Sequence, residues 1–409
     1  MRQEHPRLLI YSHDSFGLGH LRRCRAIAHA LVGAQKDLSV LILSGSPIIG
    51  SFGFRNRVDF VRIPGVIKLR HGDYEPLSLD IGIDETLHLR ASIIQHTAET
   101  FAPDIFLVDK EPWGLRGEVR DTLAMLKANG TPLVLGLRDV MDDPRVLAEE
   151  WQRKNALPAL TDFYDHLWVY GLPAVCNPLQ GLPLPPHVIG KVRYTGYLRR
   201  SVSPVERPTR PLASLAGRPY ILVTTGGGGD GAEVVDWVLR AYEHDPGIEH
   251  PALIVLGPFM RSSDQATFIE RAARLGGRVQ TIVFDAHVES LIADAAGIVA
   301  MGGYNTFCEI LSFDKPALIM PRSVPRAEQF IRASRAQALG LVRMLAVDKR
   351  RDAAVMAAAI RNLVHQPRPS EVRIPGLLDG LEVINEMTRR LLFSPDAAAE
   401  TAPPMTATR

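Results

Sequence analysis

The chain has 409 residues, of which 46% are hydrophobic and 22% are charged, and its 47 Lys and Arg against 45 Asp and Glu give a net charge of +2. This composition excludes a disordered chain and a coiled coil, and the length predicts two domains of ordinary size. The near-balanced charge also argues against a nucleic-acid-binding protein whose affinity comes from neutralising phosphates.

The cysteines and the apolar segments indicate the compartment. Cys24, Cys176 and Cys308 are far apart and form no CxxC or Cys/His cluster, so we expect neither a disulfide framework nor a zinc site. No apolar run reaches the roughly 18 residues that a membrane span needs, and the opening MRQEHPRLLIYS lacks the apolar core of a signal peptide. These features predict a cytoplasmic protein.

Short β-rich apolar runs alternate with helical patterns from end to end, which is typical of parallel sheets covered by helices on both faces. The strands predicted in the first half are 8–12, 39–43, 59–63, 104–108, 132–137, 166–170 and 192–195. They are sufficient for one doubly wound, Rossmann-like α/β domain over residues 1–198.

The second half repeats this pattern after a break. Residues 199–219 contain four prolines and scattered arginines, which exclude regular structure, so we predict a linker there. A second Rossmann-like domain is predicted over 220–375, a terminal helix over 376–393 and a disordered tail over 394–409. The strands of this second domain are predicted at 220–224, 252–256, 280–284, 297–301, 316–320 and 341–345. Because such sheets bind ligands at the carboxyl ends of their strands, the site is expected in a cleft between the domains.

The loop after the first predicted strand reads HDSFGLGH and runs into the helical pattern LRRCRAIAHAL. Gly17 and Gly19 let the backbone approach a ligand, and the helix N-terminus offers free N–H groups to an anion. Arg22 and Arg23 fall in the first helical turn, where the helix dipole disfavours cations. A bound anion would explain their position.

His20 ends this loop and is the leading candidate for a catalytic group. An incidental histidine on a glycine turn is the alternative, but the accumulation of ionisable groups that includes Asp14 favours a site. The helix dipole and the two neighbouring arginines are expected to lower the pKa of His20, so that its neutral imidazole can act as a base near pH 7.

Two further candidate bases follow a central strand of the first half, where the sequence reads VDKEPWG. Asp109 and Glu111 lie at the predicted carboxyl edge of the sheet, and either could act as a general base. One of them could equally be paired with Lys110 or Arg116 in a surface salt bridge, and this structural interpretation is slightly favoured.

Two glycine-rich loops precede helices in the second half. The first contains Gly226, Gly227, Gly228 and Gly229, which form either a backbone cradle suited to phosphate oxygens or a flexible hinge. It is neither a P-loop nor a dinucleotide fingerprint. The second loop contains four candidate ligand-binding residues, namely Gly302, Gly303, Asn305 and Thr306.

Three acidic or amide side chains accompany the second loop. Glu309 lies about one helical turn beyond Asn305, so both can face the cleft, where a carboxylate could accept the hydroxyl protons of a ribose. The alternative for Glu309 is a solvated acid near a helix N-terminus. For Glu328 and Gln329 the alternative is a capping or surface pair.

At this point two segments resemble a known family. The segment MGGYNTFCEILSFDKPALIMPRSVPRAEQFIRASRAQALGL, residues 301–341, is similar to the donor-binding region of the family 28 glycosyltransferases, which include the UDP-N-acetylglucosamine transferase that makes lipid II. The segment FGLGHLRRCRAIAHAL, residues 16–31, resembles the glycine-rich loop of that family and also a segment of UDP-sugar hydrolases from pseudaminic acid synthesis. The resemblance spans residues 7–390.

The resemblance implies the two-domain type B glycosyltransferase fold (GT-B) and assigns roles to individual residues. Glu309 would bind the ribose, the pair Glu328 and Gln329 the donor sugar, and the loop 226–229 the diphosphate. Phe284 would lie near the base. The donor-binding set is completed by Gly302, Gly303, Asn305 and Thr306, and the acceptor-side loop by Asp14, Gly17, Gly19, His20 and Arg22.

The function that follows is a metal-independent, inverting transfer of a sugar from a nucleoside diphosphate donor, UDP-linked, to a hydroxyl acceptor of unknown identity. A nucleotide-sugar hydrolase in which His20 activates water and a UDP-sugar epimerase are the enzymatic alternatives, and a non-enzymatic binding protein is the third. No resident cofactor is expected, and no DxD-type metal pair occurs in a cleft loop. Aromatic and basic residues over 50–79 could contact a membrane surface peripherally.

Overall fold

The computed structural model describes residues 5–13, 18–69, 73–202, 215, 217–345 and 351–393. Asp14 and Gly17 of the first loop lie outside the described residues. So do most of the predicted linker and all of the predicted tail.

The first half contains a seven-stranded parallel sheet. Its order is β3-β2-β1-β6-β7-β8-β9, and β4 and β5 form a separate antiparallel pair. The strands are β1 (Arg7–Ser12), β2 (Ser39–Ser44), β3 (Val58–Arg62), β4 (Val66–Lys68), β5 (Tyr74–Pro76), β6 (Ile105–Asp109), β7 (Leu133–Arg138), β8 (His166–Tyr170) and β9 (Val192–Tyr194). The helices are α1 (Gly19–Ala34), α2 (Ile83–Phe101), α3 (Arg120–Ala128), α4 (Pro144–Arg153), α5 (Ala156–Pro158) and α6 (Pro186–Ile189).

The second half contains a six-stranded parallel sheet of order β12-β11-β10-β13-β14-β15. The strands are β10 (Ile221–Thr224), β11 (Ala252–Val255), β12 (Val279–Ile282), β13 (Gly297–Ala300), β14 (Ala317–Ile319) and β15 (Arg343–Met344). The helices are α7 (Ala232–His244), α8 (Ser262–Arg274), α9 (Val288–Asp294), α10 (Tyr304–Ser312), α11 (Glu328–Ala338), α12 (Ala353–Leu363) and α13 (Gly380–Phe393).

The prediction of two Rossmann-like α/β sheets is confirmed. The central strands β1, β6 and β10 are buried on both faces, which explains why the sequence shows them as continuous apolar runs rather than as an alternating pattern. The antiparallel pair β4–β5 was not predicted, because strands of three residues are too short to show a period.

The strand order of each sheet reverses at one place. The first reversal lies between β1 and β6, and the second lies between β10 and β13. Loops leaving the two strands at such a point diverge to opposite faces and open a crevice at the carboxyl edge. The topology therefore places the carboxyl ends of β1, β6, β10 and β13 at ligand-binding positions.

The two halves are in direct contact. Arg332 of α11 donates two hydrogen bonds of 2.6 and 2.8 Å to Asp139, which follows β7, and both side chains are buried. Helix α13 returns to the first half, where the Gly380 amide donates to the Tyr197 carbonyl at 3.2 Å. Among the described residues, no helix has both the length and the apolar character needed to cross a membrane.

Candidate functional site

The carboxyl edges of the two sheets face one another across a cavity of about 240 Å³. It brings together most of the residues that the sequence singled out in both halves. The predicted residues that line it are Gly19, His20, Arg22, Gly226, Gly227, Phe284, Gly302, Gly303, Asn305, Thr306, Glu328 and Gln329. Asp109, Glu111, Gly228, Gly229 and Glu309 are not part of this lining.

His20 and Asp109 meet at the first reversal of strand order. His20 lies in the first turn of α1 and Asp109 is the last residue of β6, and Nδ1 of His20 is hydrogen-bonded to Oδ2 of Asp109. A carboxylate only accepts hydrogen bonds, so Nδ1 carries the proton and donates. The other ring nitrogen, Nε2, is therefore left with its lone pair on a side chain that lines the cleft.

Arg23 holds the Asp109 carboxylate in its ionised form. Its Nε and Nη2 donate three hydrogen bonds of 2.6 to 2.9 Å to the two carboxylate oxygens, and each side chain is only 2% exposed. Burial opposes ionisation, but Arg23 and His20 hold the pKa of Asp109 well below its usual range. For Asp109 the alternative of a surface salt bridge to Lys110 or Arg116 was wrong, because its buried carboxylate is turned inward to Arg23. The pairing with Lys110 occurs at Glu111 instead.

The neutral form of His20 is strongly favoured. Burial lowers the pKa of His20 to about 4, with Asp109 opposing this shift and Arg23 reinforcing it. The direction agrees with the sequence prediction, although the main cause is burial rather than the helix dipole and Arg22.

Arg22 and Arg23 bind protein carboxylates rather than a ligand anion. Nη2 of Arg22 donates to Glu309 at 2.5 Å and to Glu289 at 2.8 Å, so it links the first half of the chain to the second. Glu309 is 1% exposed. Burial raises its pKa to about 7, Arg22 opposing and Glu289 reinforcing the shift. The expectation that Glu309 faces the cleft beside Asn305 is corrected, because its carboxylate turns to Arg22.

Glu111 is held by lysines. Its carboxylate accepts from Lys154 at 2.7 Å and lies 3.2 Å from the Lys110 ammonium. Burial opposes ionisation, but Lys110, followed by His13 and Lys154, holds the pKa of Glu111 well below its usual range. A carboxylate stabilised in this way is a weak base, so the geometry does not support a catalytic role for Glu111.

The loop after β10 has a backbone that only glycine fits. Gly228 has φ +86°, and a Cβ there would lie 2.4 Å from the Leu256 carbonyl oxygen. The Gly227 carbonyl accepts from the Phe259 amide at 2.9 Å, which fixes the loop against the segment after β11. The loop forms a turn ahead of α7, and Gly226 and Gly227 face the cavity.

The start of α10 faces the glycine loop from the second reversal of strand order. Its first N–H groups have no partner within the helix, and Gly303, Asn305 and Thr306 line the cavity. The polar atoms of the Asn305 side chain are already hydrogen-bonded within the protein, since the amide donates to the Gly19 carbonyl at 3.0 Å and accepts from Arg200 at 2.8 Å. The anion-binding capacity of this segment therefore lies in its backbone.

Glu328 and Gln329 begin α11 and close the cavity on another side. Arg322 donates to Glu328 at 2.8 Å through its side chain and to Gln329 at 3.2 Å through its backbone amide, and it also pairs with Asp230 at 3.0 Å. Oε2 of Glu328 is buried and has no hydrogen-bond partner among the described residues. A buried carboxylate oxygen without a donor is suited to a ligand hydroxyl group.

Arg138 is a functional candidate that was not among the predicted site residues. It ends β7 and lines the cavity, and its guanidinium has no ion-pair or hydrogen-bond partner in the part of the chain that the structure describes. Burial lowers its pKa to about 10, Glu328 opposing the shift. A charged, unpaired guanidinium in a cleft is suited to an anionic group of a ligand. Its only sequence signal is a charge at the end of a central strand.

Phe284 lies two residues beyond β12 and lines the cavity. Its ring meets that of Phe52 edge-on, with centroids 6.2 Å apart. No three His, Cys, Asp or Glu side chains within the described ranges are placed to hold a metal ion.

Comparisons with known proteins agree with this architecture. No protein-family model matches the chain. An uncharacterized glycosyltransferase of Methanosarcina acetivorans is 25% identical over 91% of this chain and 96% of its own length. Two of the solved structures that are similar to this chain are each 14% identical to it. UGT2 of Phytolacca americana, complexed with UDP-2fluoro-glucose and pterostilbene, has a TM-score of 0.61 over 95% of this chain and 96% of its own. A UGT transferase of Siraitia grosvenorii in complex with UDP has a TM-score of 0.58 over 94% and 99%.

The two solved structures match nearly the full length of this chain and of their own, so the likeness extends over both halves. At 14% identity the likeness of the solved structures concerns the fold. The chain has the two-domain GT-B glycosyltransferase fold.

Proposed function

We propose that the protein is a glycosyltransferase that moves a sugar from a UDP-sugar donor to a hydroxyl group of an acceptor, with inversion at the anomeric carbon. The observation that carries this proposal is the His20–Asp109 pair, which presents a neutral imidazole nitrogen to the cleft opposite the glycine loop and the start of α10. The glycosyltransferase relative and the UDP-containing structural neighbours support the reaction class.

The donor lies on the second half of the chain. Its diphosphate accepts hydrogen bonds from backbone amides of the 226–229 loop and of the α10 N-terminus. The sugar hydroxyl groups bind Glu328, whose Oε2 is buried without a partner among the described residues, and Gln329 beside it. Phe284 contacts the base.

The acceptor hydroxyl group approaches His20 from the first half. Nε2 of His20 takes the hydroxyl proton while the acceptor oxygen bonds to the anomeric carbon, and the bond from that carbon to the diphosphate oxygen breaks. The electron pair of this bond leaves on UDP, where the backbone amides and the Arg138 guanidinium stabilise the charge. Asp109 stabilises the imidazolium that forms on His20.

Metal independence belongs to the same proposal. Helix N-termini and Arg138 supply positive charge at the leaving group, which is one task that a divalent cation performs in other enzymes. Turnover is therefore expected to continue in EDTA. Loss of turnover that magnesium restores would contradict this part of the proposal.

Membership of family 28 in particular is also proposed. It is supported by the similarity of residues 301–341 to the donor-binding region of that family. In this structure Glu309 is bound to Arg22, so a ribose contact requires that Arg22 share or release the carboxylate.

The test is a screen of nucleotide sugars with and without hydroxyl acceptors, following UDP release and the sugar product. A glycosylated acceptor formed by the wild type and lost in His20→Ala supports the proposal. Free sugar as the only product from every acceptor would assign a hydrolase, and a 2-epimer would assign an epimerase. If His20→Ala folds, binds UDP and keeps normal turnover, His20 has no catalytic role.

A further inference from the structure

A second concave surface, the basic groove, lies along α1 outside the catalytic cleft. Its volume is about 790 Å³, within the roughly 300–1,000 Å³ that small-molecule sites occupy. The groove is lined by six arginines, namely Arg22, Arg25, Arg55, Arg57, Arg199 and Arg200, and by one carboxylate, Glu289.

The guanidinium groups of this groove are poorly matched by acids. Glu289 is already paired with Arg22 at 2.8 Å. Arg57 donates to three backbone carbonyls near the end of α1, and Arg55 donates to the His29 carbonyl at 3.4 Å. None of Arg55, Arg57, Arg199 and Arg200 forms an ion pair with a carboxylate of the described chain. Within the described ranges, the groove thus holds several like charges that no carboxylate balances.

Arg200 and Arg199 show where a ligand would bind. Arg200 is 8% exposed and uses its terminal nitrogens on Asn305 at 2.8 Å and on the Arg22 carbonyl at 3.3 Å, but its Nε is buried with no partner among the described residues. Arg199 is exposed at the rim, and no partner for it occurs within the described ranges. The buried Nε of Arg200 lacks an acceptor that buried donors normally have, and Arg199 adds a second cation to the same lining.

We propose that the basic groove binds a phosphorylated small molecule, and that Arg55, Arg199 and Arg200 bind its phosphate. Planar guanidinium donors match the oxygens of a phosphate group, and charge-assisted hydrogen bonds of this kind are strong. The groove is concave and lies between helices, which suits a compact ligand better than the flat surface of a bilayer. This site goes beyond the proposed transfer reaction, and only the use of UDP to fill the cleft in its test rests on the proposed function.

The test is calorimetric titration of pyrophosphate into protein saturated with UDP, so that the glycine loop of the cleft is already filled. The double variant Arg55→Gln and Arg199→Gln should bind pyrophosphate at least about tenfold more weakly than the wild type, because two charged donors are removed. The matched control is Arg145→Gln with Arg153→Gln, which removes the same charge from exposed positions of α4 outside the groove. It should bind as the wild type does.

Three results would overturn the proposal. They are absence of pyrophosphate binding, equal affinity in the groove variant and the wild type, and equal losses in the groove and control variants. Vesicles of phosphatidylglycerol serve as the comparison arm. If binding to vesicles depends on Arg55 and Arg199 while pyrophosphate does not bind, the groove contacts a membrane surface instead. Unaltered thermal unfolding of both variants establishes that each has folded.

Discussion

Replacing Asp109 with Asn tests the catalytic pair most directly, because the side chain keeps its size and loses its charge. The single carbonyl oxygen of the amide would be taken by Arg23, which donates three hydrogen bonds to the carboxylate. The amide nitrogen would then donate to Nδ1 of His20, which moves the imidazole proton to Nε2. The nitrogen that faces the acceptor would lose its lone pair.

The magnitudes follow from the burial of the pair and from the hydrogen bonds that the substitution breaks. Loss of a general base lowers kcat by roughly 10²–10⁴-fold. Breaking one partner of a buried ion pair costs about 3–5 kcal/mol of unfolding free energy. Since Asn can still accept from Arg23, we expect the lower end, about 3 kcal/mol. UDP affinity should change little, because the proposed donor site lies on the second half of the chain.

The assay measures UDP release at saturating donor, UDP affinity by calorimetry, and unfolding in urea. The matched control is Glu111→Gln, an acid of the same loop that is paired with lysines; it should retain near-normal turnover. His20→Gln is a second variant, which leaves the Arg23–Asp109 contacts in place and should lose activity with less loss of stability. Normal turnover in folded Asp109→Asn, or a larger loss of turnover in Glu111→Gln, would refute the assignment.

Three further predictions concern pH, the glycine loop and the nucleotide. The pKa of His20 in the folded protein, about 4, lies below its ordinary value of 6.5. Between these pH values the unfolded chain binds one more proton than the folded chain, so the free energy of unfolding falls as pH drops from 6.5 to 4. Urea unfolding should show a smaller fall in His20→Ala than in the wild type, and an equal fall would contradict the pKa shift. Gly228→Ala should weaken UDP binding more than Gly226→Ala does. Both positions have positive φ, but the new Cβ would lie 2.4 Å from a backbone oxygen at Gly228 and would meet nothing within 4 Å at Gly226. Equal affinities of the two variants by calorimetry would show that the loop adapts. Glu309→Gln should weaken UDP binding by about 1.5–3 kcal/mol if the carboxylate binds the ribose, whereas an equal effect in Glu289→Gln would indicate that Glu309 acts only through its cation partner.

Much of the fold could be predicted from the sequence, because the central strands are fully buried and therefore appear as continuous apolar runs. The glycine-rich loops and His20 could be singled out for a related reason, since runs of glycine and a histidine at the start of a helical pattern stand out locally. The antiparallel pair β4–β5 was missed because three-residue strands carry no periodic signal.

The sequence by itself determined the alternation of strands and helices, the glycine loops and the charged residues that follow strands. Only the tertiary structure decided which charges meet. His20 and Asp109 are 89 positions apart, and Arg22 and Glu309 are 287 apart. Parallel sheets bring the carboxyl ends of their strands together whatever the distance along the chain. Which charged side chains pair therefore depends on strand order and on the packing of the two halves, and no local sequence pattern contains this information.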